Sequence, residues 1–123
     1  MNLQYKRNET KRLLDIAFNS KEGVVKINKH NCFRHELAKF LLCWEANLND
    51  VEFITEAVLS GGGRPDVLIL DSCEAWEVLD SETDEMFKKK IEGYPFELKV
   101  LKFDAEKVIK QGLKTFLNEG KVS

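Results

Sequence analysis

The sequence predicts a single α/β domain with a mixed four-stranded sheet flanked by helices. Apolar residues recur at helical spacing in several stretches, and between them lie shorter aliphatic or alternating stretches that are typical of strands. A predicted helix separates the third strand from the fourth, and a connection of that kind makes the two strands parallel. A length of 123 residues with 43% hydrophobic content suits one core. We divide the chain into a basic extension (1–30), a core (31–103) and a C-terminal helix with its tail (104–123).

The N-terminal extension predicts a short helix over Asn8–Asn19. Its first residue is a suitable cap, and Leu13, Ile16 and Ala17 fall on one face. The residues Val24–Ile27 predict a short extended segment. Four basic residues in this region either contact phosphates or form a solvated basic face: Lys6, Arg7, Lys11 and Arg12.

A stronger helix is predicted over Cys32–Asn47, with Asn31 as its cap. Six apolar residues recur along it at helical spacing and predict the face that packs on the core. They are Phe33, Leu37, Phe40, Leu41, Trp44 and Leu48. Glu36 lies at the edge of this stripe, about a right angle from its centre at roughly 100° per residue. Glu36 is either a residue of a functional site or an ordinary carboxylate at the edge of the core that pairs with Lys39 or Arg34.

The residues Val51–Leu59 predict the first strand, which leads into the glycines Gly61–Gly63. Glu56 on this strand is either an additional ligand for a metal or water, or a residue that faces solvent. The glycines are not a phosphate-binding loop, because no Gly-Lys-Ser/Thr follows and a strand rather than a helix comes next. We expect a flexible connection that a nucleic-acid backbone can approach, with Arg64 beside it as a phosphate contact.

A β-hairpin is predicted next. The aliphatic run Val67–Leu70 predicts a buried strand, Asp71–Glu74 has the composition of a turn, and Ala75–Asp80 alternates as the returning strand.

The predicted register decides which hairpin residues face each other. A turn of four residues places Leu70 opposite Ala75, so that Asp66 and Glu77 become diagonal neighbours on one face, about 7–8 Å apart at the backbone. Two carboxylates at that separation can bind one cation together. A slip of one residue would turn one of them to the other face.

The remaining elements are a crossover helix, a fourth strand and a closing helix. Ser81–Asp84 resembles a capping box at the start of the helix Glu82–Glu92, which a glycine and a proline end. The stretch Phe96–Phe103 alternates as a strand, and Asp104–Asn118 predicts the closing helix, followed by a frayed tail. The crossover helix is expected to bury Thr83, Phe87, Ile91 and Tyr94.

Charge is distributed unevenly, although the net charge is only −2. Residues 1–35 carry eight Lys/Arg and three Asp/Glu, a net +5. Residues 36–85 carry two and thirteen, a net −11, and residues 86–123 carry nine and five, a net +4. An acidic middle between basic flanks suits a metal site between phosphate-contacting surfaces. A chance difference in charge between solvent-exposed faces explains this pattern equally well when charge is the only observation.

The cysteines and histidines do not predict a zinc site. Three cysteines cannot all be bridged, so reduced and mostly packed thiols are expected. The spacing of His30, Cys32, His35 and Cys43 fits no common zinc finger. No apolar run approaches membrane-spanning length and the N-terminus lacks an apolar signal segment, so we expect a soluble, cytoplasmic protein.

The hairpin resembles the PD-(D/E)XK nuclease superfamily, whose restriction-endonuclease-like core is a mixed sheet flanked by helices. Pro65-Asp66 matches the first motif element and Glu77-Val78-Leu79 the second, and the resemblance covers about residues 31–103. Leu79 occupies the position of the family's lysine.

This resemblance implies a Mg²⁺- or Mn²⁺-dependent nuclease that hydrolyses phosphodiester bonds in DNA. Asp66 and Glu77 would bind the metal, with Glu36 assisting from the first core helix. Some members supply the lysine from the helix after the second motif strand. That helix rises about 1.5 Å per residue and passes the level of Glu77 near residue 88, so Lys88 and Lys90, which flank its apolar stripe, are the candidates.

Two alternatives remain open on the sequence alone. Leu79 supports a catalytically inactive relative that binds nucleic acid or acts as a scaffold. A protein-interaction module with no role on DNA is the other, and salt-insensitive failure to bind any nucleic acid would favour it. Small domains of this kind often pair across DNA, which suggests a homodimer.

Overall fold

The computed structural model describes residues 2–15 and 21–122, with side chains through residue 117, and it contains four helices and one four-stranded sheet in this part of the chain. The helices are α1 (Leu3–Lys11), α2 (Phe33–Leu48), α3 (Asp84–Ile91) and α4 (Ala105–Val122). The strands are β1 (Phe53–Thr55), β2 (Val67–Ile69), β3 (Glu74–Leu79) and β4 (Lys99–Asp104). The predicted α/β class is confirmed.

The sheet is mixed, as predicted. Its strand order, β1-β2-β3-β4, follows the chain. β1, β2 and β3 pair antiparallel as a meander, whereas β3 and β4 are parallel. The chain passes from β3 to β4 through α3, which is the connection that parallel neighbours require.

The hairpin between β2 and β3 differs from the prediction in its register. Leu70–Cys73 form the turn, one residue earlier than predicted, and Cys73 adopts a left-handed φ of 55°. Leu68 therefore pairs with Ala75, a shift of two residues from the predicted partner. A shift of two preserves the alternation of side chains between faces. Asp66 and Glu77 thus still share one face, now directly opposite each other just beyond the paired residues.

The sheet is covered on both faces. On one face α2 packs against the sheet and buries Cys43, Ala46, Phe53, Val67 and Ile69. A second cluster on this face includes the start of α4 and consists of Ala38, Leu42, Val78 and Ala105. The opposite face is covered by the segment after α1 and by the residues that follow α3. Its core is formed by Ile54, Ala57, Leu59, Leu68, Leu70, Cys73, Ala75 and Leu98.

The face of α2 that packs on the core is not the predicted one. Leu41 is buried, but Phe33 is 78% exposed, Phe40 and Trp44 are each 44% exposed, and Leu48 is 54% exposed. The buried residues are instead His35, Ala38, Lys39, Leu41, Leu42, Cys43 and Ala46. Small residues on this face let the helix approach the sheet, and its two polar side chains find partners there. The predicted cap was also wrong, since Cys32 holds the N-cap position without a side-chain hydrogen bond.

Helix α1 begins earlier than predicted. Asn2 caps it by accepting hydrogen bonds from the backbone of Gln4 and Tyr5, and the helix ends at Lys11. The predicted span Asn8–Asn19 was therefore wrong, and its residues 16–19 lie outside the described part of the chain.

The remaining elements are present with different bounds. β1 has three residues rather than the nine predicted, β4 begins at Lys99 rather than Phe96, and α4 continues to Val122, where a frayed tail was expected. α3 is capped by the side chain of Thr83, which is exposed rather than buried, while Phe87 packs inward. Val24–Ile27, where a short extended segment was predicted, forms no strand. Cys43 and Cys73 are buried free thiols, as expected, and Cys32 is exposed. Among the described residues, no helix combines the length and apolar character needed to cross a membrane.

Candidate active site

The hairpin brings Asp66 and Glu77 together in the interior. Asp66 directly precedes β2, and Glu77 lies within β3. The backbone N–H of Val78 donates to Asp66 Oδ2 at 2.8 Å, which fixes the carboxylate against the neighbouring strand. Asp66 is 3% exposed and Glu77 is fully buried. Burial of two carboxylates is costly unless cations or donors offset their charge.

Lys90 supplies that cation from α3. Its Nζ lies 3.1 Å from Asp66 Oδ1 and 2.7 Å from Glu77 Oε1, and the Lys90 side chain remains 38% exposed. Of the two predicted lysines, the structure brings Lys90 to the carboxylates and leaves Lys88 exposed. Leu79, at the end of β3, makes no comparable contribution because its side chain has no charge.

Tyr94, which follows α3, completes the surroundings of Glu77. Its hydroxyl donates to Glu77 Oε2 at 2.9 Å. The ring passes so close to Gly63 that a Cβ there would lie 2.6 Å from Tyr94 Cδ1 and 3.2 Å from Leu59 Cδ1. The glycine loop thus has a packing role at this position, because only a residue without a side chain leaves room for the tyrosine ring.

His35 joins the site from α2. Its Nε2 lies 3.2 Å from Asp66 Oδ2, and its Nδ1 lies 2.8 Å from Glu36 Oε2. The ring is 4% exposed. A charged imidazole has a donor at each nitrogen, so His35 can donate to both carboxylates at once.

Glu36 is not in direct contact with Asp66 but is linked to it through His35. Its carboxylate accepts hydrogen bonds from the backbone of Asn28 at 2.6 Å and from Lys39 Nζ at 2.7 Å. Lys39 is 1% exposed. The boundary pairing with Lys39 that the sequence suggested is therefore present.

Glu56 belongs to this second polar cluster. It is 7% exposed, so the expectation of a solvent-facing residue was wrong. Its carboxylate accepts from Asn28 Nδ2 at 2.7 Å and lies 3.4 Å from Lys39 Nζ. A left-handed φ of 50° at Glu56 turns its side chain toward these partners. Lys39 also donates to the Lys26 carbonyl at 2.7 Å, which ties the extended segment to α2.

The protonation equilibria follow from burial and charge. Burial and the negative charge of Asp66 raise the pKa of Glu77 to about 7, although Lys90 and Tyr94 oppose the shift. Burial disfavours the ionised form of Asp66, but the hydrogen bond from His35 and the charge of Lys90 outweigh it and lower the pKa of Asp66. The two carboxylates therefore differ: Asp66 is ionised at neutral pH and Glu77 is near its midpoint.

The pKa values of the two cationic groups are both raised. Burial alone would lower the pKa of His35, but Asp66 and Glu36 raise it to about 9, so the ring is charged at neutral pH. The pKa of Lys90 is likewise raised by Glu77 and Asp66 against the effect of burial. Burial, together with the charge of Glu77, raises the pKa of the Tyr94 hydroxyl, which stays a donor.

Glu77 Oε1 lies 2.7 Å from Lys90 Nζ, and no other donor among the described residues reaches it. Two neighbouring carboxylates fit a hard cation such as Mg²⁺, which prefers oxygen ligands. The described residues provide no group of three or more His, Cys, Asp or Glu side chains arranged to hold a metal. A metal here would have two carboxylates and would rely on water or phosphate for its other ligands.

The basic residues predicted to contact nucleic acid are mostly engaged within the protein. Arg7 pairs with Asp71 at 2.7 Å, Lys11 with Glu22 at 2.6 Å and Arg12 with Glu9 at 3.2 Å. Lys6 is half-buried and Arg64 is exposed beside the glycine loop. Arg64 is thus the predicted phosphate contact whose surroundings best fit that role.

The sequence-based prediction missed His35 and Tyr94 as members of the polar clusters, and it named Lys39 only as a boundary partner of Glu36. A signal for the burial of His35 and Lys39 was present. His35 and Lys39 are four residues apart and share a helical face with the small residues Ala38, Cys43 and Ala46. Small residues at that spacing indicate close helix packing, so polar residues among them must find buried partners.

The chain matched no protein family, no curated protein and no solved structure in the three comparisons made with known proteins. Any functional assignment therefore depends on the residues and their geometry.

Proposed function

We propose that this protein is a metal-dependent DNA nuclease of the PD-(D/E)XK type. The observation that carries the proposal is the convergence of Asp66 and Glu77 on one positive charge, the ammonium of Lys90. The two acids lie at the sequence positions that resemble the family's motif. In this proposal Lys90 of the following helix, which contacts both acids, takes the role of the missing motif lysine. A mixed sheet flanked by helices is compatible with a restriction-endonuclease-like core.

In this proposal Asp66 and Glu77 would hold a Mg²⁺ or Mn²⁺ ion, which would supply Lewis-acid activation of the phosphate and of an attacking water. Lys90 stabilises negative charge that develops on the phosphate. Glu77 would release its proton to solvent on binding the cation, because two ionised carboxylates would then share a positive partner. His35 and Tyr94 are positioning residues that orient Asp66 and Glu77 respectively. Glu36 acts through His35.

The nucleic-acid surface would include Arg64, which is exposed and adjoins the loop before Asp66. Electrostatic contacts to phosphates weaken steeply with salt. Replacing Arg64 by Gln should therefore reduce DNA affinity and flatten its salt dependence, while the metal response of the free protein stays unchanged.

The decisive experiment combines thermal unfolding with cleavage assays. Wild type, Asp66→Asn and Glu77→Gln are compared in EDTA, Mg²⁺ and Mn²⁺, and each is then incubated with duplex, nicked, branched and single-stranded DNA. We expect the metals to raise the Tm of wild type only, because a ligand that binds the folded state alone stabilises it. We also expect metal-dependent cleavage of at least one substrate. Absence of both effects in wild type would refute the nuclease assignment.

A catalytically inactive nucleic-acid-binding domain is the second candidate. The specific observation in its favour is that Lys90 already compensates both carboxylates without a metal. Salt-dependent DNA binding without metal-dependent cleavage would identify this role. Salt-insensitive failure to bind any nucleic acid would instead favour a protein-interaction module.

A further inference from the structure

A row of apolar side chains runs along the solvent side of α2. It consists of Phe33, Leu37, Phe40, Trp44 and Leu48, which we call the α2 seam. Four of them are at least 44% exposed, and Phe33 reaches 78%. The rings of Phe40 and Trp44 pack 6.0 Å apart, so the centre of the seam is a continuous aromatic surface.

The spacing of the α2 seam is that of a helix–helix interface. Its members are separated by four, three, four and four residues. Alternating gaps of about three and four residues keep apolar side chains on one stripe of a helix and suit knobs-into-holes packing against a second helix. The buried side of α2 shows a different set of residues, so this stripe does not contribute to the core of its own domain.

The exposed area is large for a surface with no function. At about 200 Å² for each fully exposed side chain, the four most exposed members present roughly 450 Å² of apolar surface. That value lies within the range of the largest patches on monomers, about 300–600 Å², which are often interaction sites. Two such seams would bury about 900 Å² together, which is the size of a weak interface and smaller than the roughly 1,600 Å² of a standard one.

We propose that the α2 seam pairs with the α2 seam of a second copy of this chain. The ionisable residues of α2 nearest to the seam, Arg34, Glu36 and Glu45, lie at its edges, so two copies can meet without burying like charges at the centre. In an antiparallel arrangement about a two-fold axis near Phe40, Phe33 of one copy lies opposite Leu48 of the other. A two-fold contact uses the same surface on both partners, which this stripe satisfies by its nearly even distribution of bulk along α2.

The pairing leaves the candidate active site open. His35 lies about 160° around α2 from Leu37, at roughly 100° per residue, and therefore on the other side of the helix. Each copy would keep its own Asp66 and Glu77, with the two sites directed away from the shared interface. The dimer is thus independent of the proposed nuclease function, and either can fail without the other.

The test is molecular mass in solution as a function of concentration, by light scattering on a sizing column. At about 100 µM the wild type should have roughly twice the monomer mass of 14.2 kDa and should dissociate on dilution. Phe40→Glu places a charge at the centre of the seam and should give a monomer at the same concentration. The matched control is Phe96→Glu, because Phe96 is 97% exposed and lies outside α2; it should remain dimeric.

A second measurement uses the seam's own tryptophan. Trp44 is half exposed in the monomer, so its fluorescence should shift to shorter wavelength as the concentration rises, and this shift should be absent in Phe40→Glu. Circular dichroism will show that both variants fold, as expected for substitutions of exposed residues. A wild type that stays monomeric at about 100 µM would overturn the proposal. So would equal dissociation of the Phe40 and Phe96 variants.

Discussion

The Nε2 atom of His35 lies 3.2 Å from Oδ2 of Asp66, and this contact joins α2 to the start of β2. On its other side the same ring reaches Glu36 at 2.8 Å. One buried imidazolium thus compensates two carboxylates from different elements. The arrangement makes the folded state dependent on the charge of a single histidine.

Removal of that charge should destabilise the protein at alkaline pH. The folded pKa of His35 is raised to about 9, above the ordinary value of 6.5, so its contribution is complete below pH 6.5 and is lost as the pH rises through 9. We expect a loss of about 2 kcal/mol in the free energy of unfolding between pH 7.5 and pH 10. Urea unfolding in EDTA measures it. His35→Gln should lack this component, and an unchanged slope in the variant would contradict the assignment.

Glu77 should produce a separate decrease in the free energy of unfolding near neutral pH. Its pKa is raised to about 7 in the folded state, from 4.5, so the stability that its bound proton provides is lost as the pH rises through 7. The contribution of Glu77 to this decrease between pH 6 and pH 8 in EDTA is about 1 kcal/mol. Glu77→Gln has no titrating group at position 77, so its free energy of unfolding should fall by about 1 kcal/mol less than that of wild type over the same interval, and the decrease that remains belongs to His35. If wild type and variant have the same pH dependence there, Glu77 is not the titrating group.

Lys90 and a divalent cation should compete for the same two carboxylates. In EDTA, Lys90→Met leaves Glu77 without a nearby cation and Asp66 with His35 alone. It should cost about 1–2 kcal/mol, a modest value because the lysine is partly screened by solvent. Added Mg²⁺ should then raise the Tm of Lys90→Met more than that of wild type. Lys88→Met is the control, since Lys88 is exposed on the same helix. Equal metal responses in all three proteins would exclude competition.

Gly63 should tolerate no side chain while Tyr94 is present. Gly63→Ala forces the tyrosine ring to move and should cost about 1–3 kcal/mol. In a Tyr94→Ala background the same substitution should cost much less, which a double-mutant cycle by urea unfolding would measure. Gly61→Ala serves as the control, because a Cβ there would make only an ordinary 3.5 Å contact with the Gly93 carbonyl. Additive costs at positions 63 and 94 would rule out the steric explanation.

Lys39 should be the most sensitive lysine in the chain. Lys39→Met leaves Glu36 and Glu56 buried without their shared cation, and losing one partner of a buried ion pair typically costs about 3–5 kcal/mol. Part of that loss should return when Glu36→Gln is added, because the amide no longer carries a charge. Lys114→Met, at an exposed position on α4, should be close to neutral in the same unfolding experiment. A neutral effect at Lys39 would mean that the cluster does not support the fold.

Several features of the fold could be predicted because they depend on local pattern. The run of aliphatic residues 67–70 can be stable only as a buried strand or short helix, and the flanking turn residues decide for a strand. The helix between β3 and β4 makes those strands parallel in nearly any topology. The pairing of Asp66 with Glu77 survived a two-residue error in register because side chains alternate with a period of two.

The orientation of α2 could not be predicted in the same way. Hydrophobic periodicity selects the most apolar stripe, and on α2 that stripe faces solvent. The stripe that packs on the sheet contains Ala38, Cys43 and Ala46, which allow close approach, together with His35 and Lys39. Burial of those two polar residues is favourable only because Asp66, Glu36 and Glu56 come from elsewhere in the chain to meet them.

The sequence by itself determined the α/β class, the mixed sheet, the shared face of Asp66 and Glu77, and the helix that could carry a substitute lysine. These depend on spacing along one or two neighbouring elements, which the chain specifies directly. Only the tertiary structure decided that Lys90 rather than Lys88 contacts the carboxylates and that His35 links Glu36 to Asp66. It also decided that the apolar stripe of α2 is exposed to solvent. Those choices arise from contacts between elements distant in sequence, where burial cost, charge compensation and packing are balanced together.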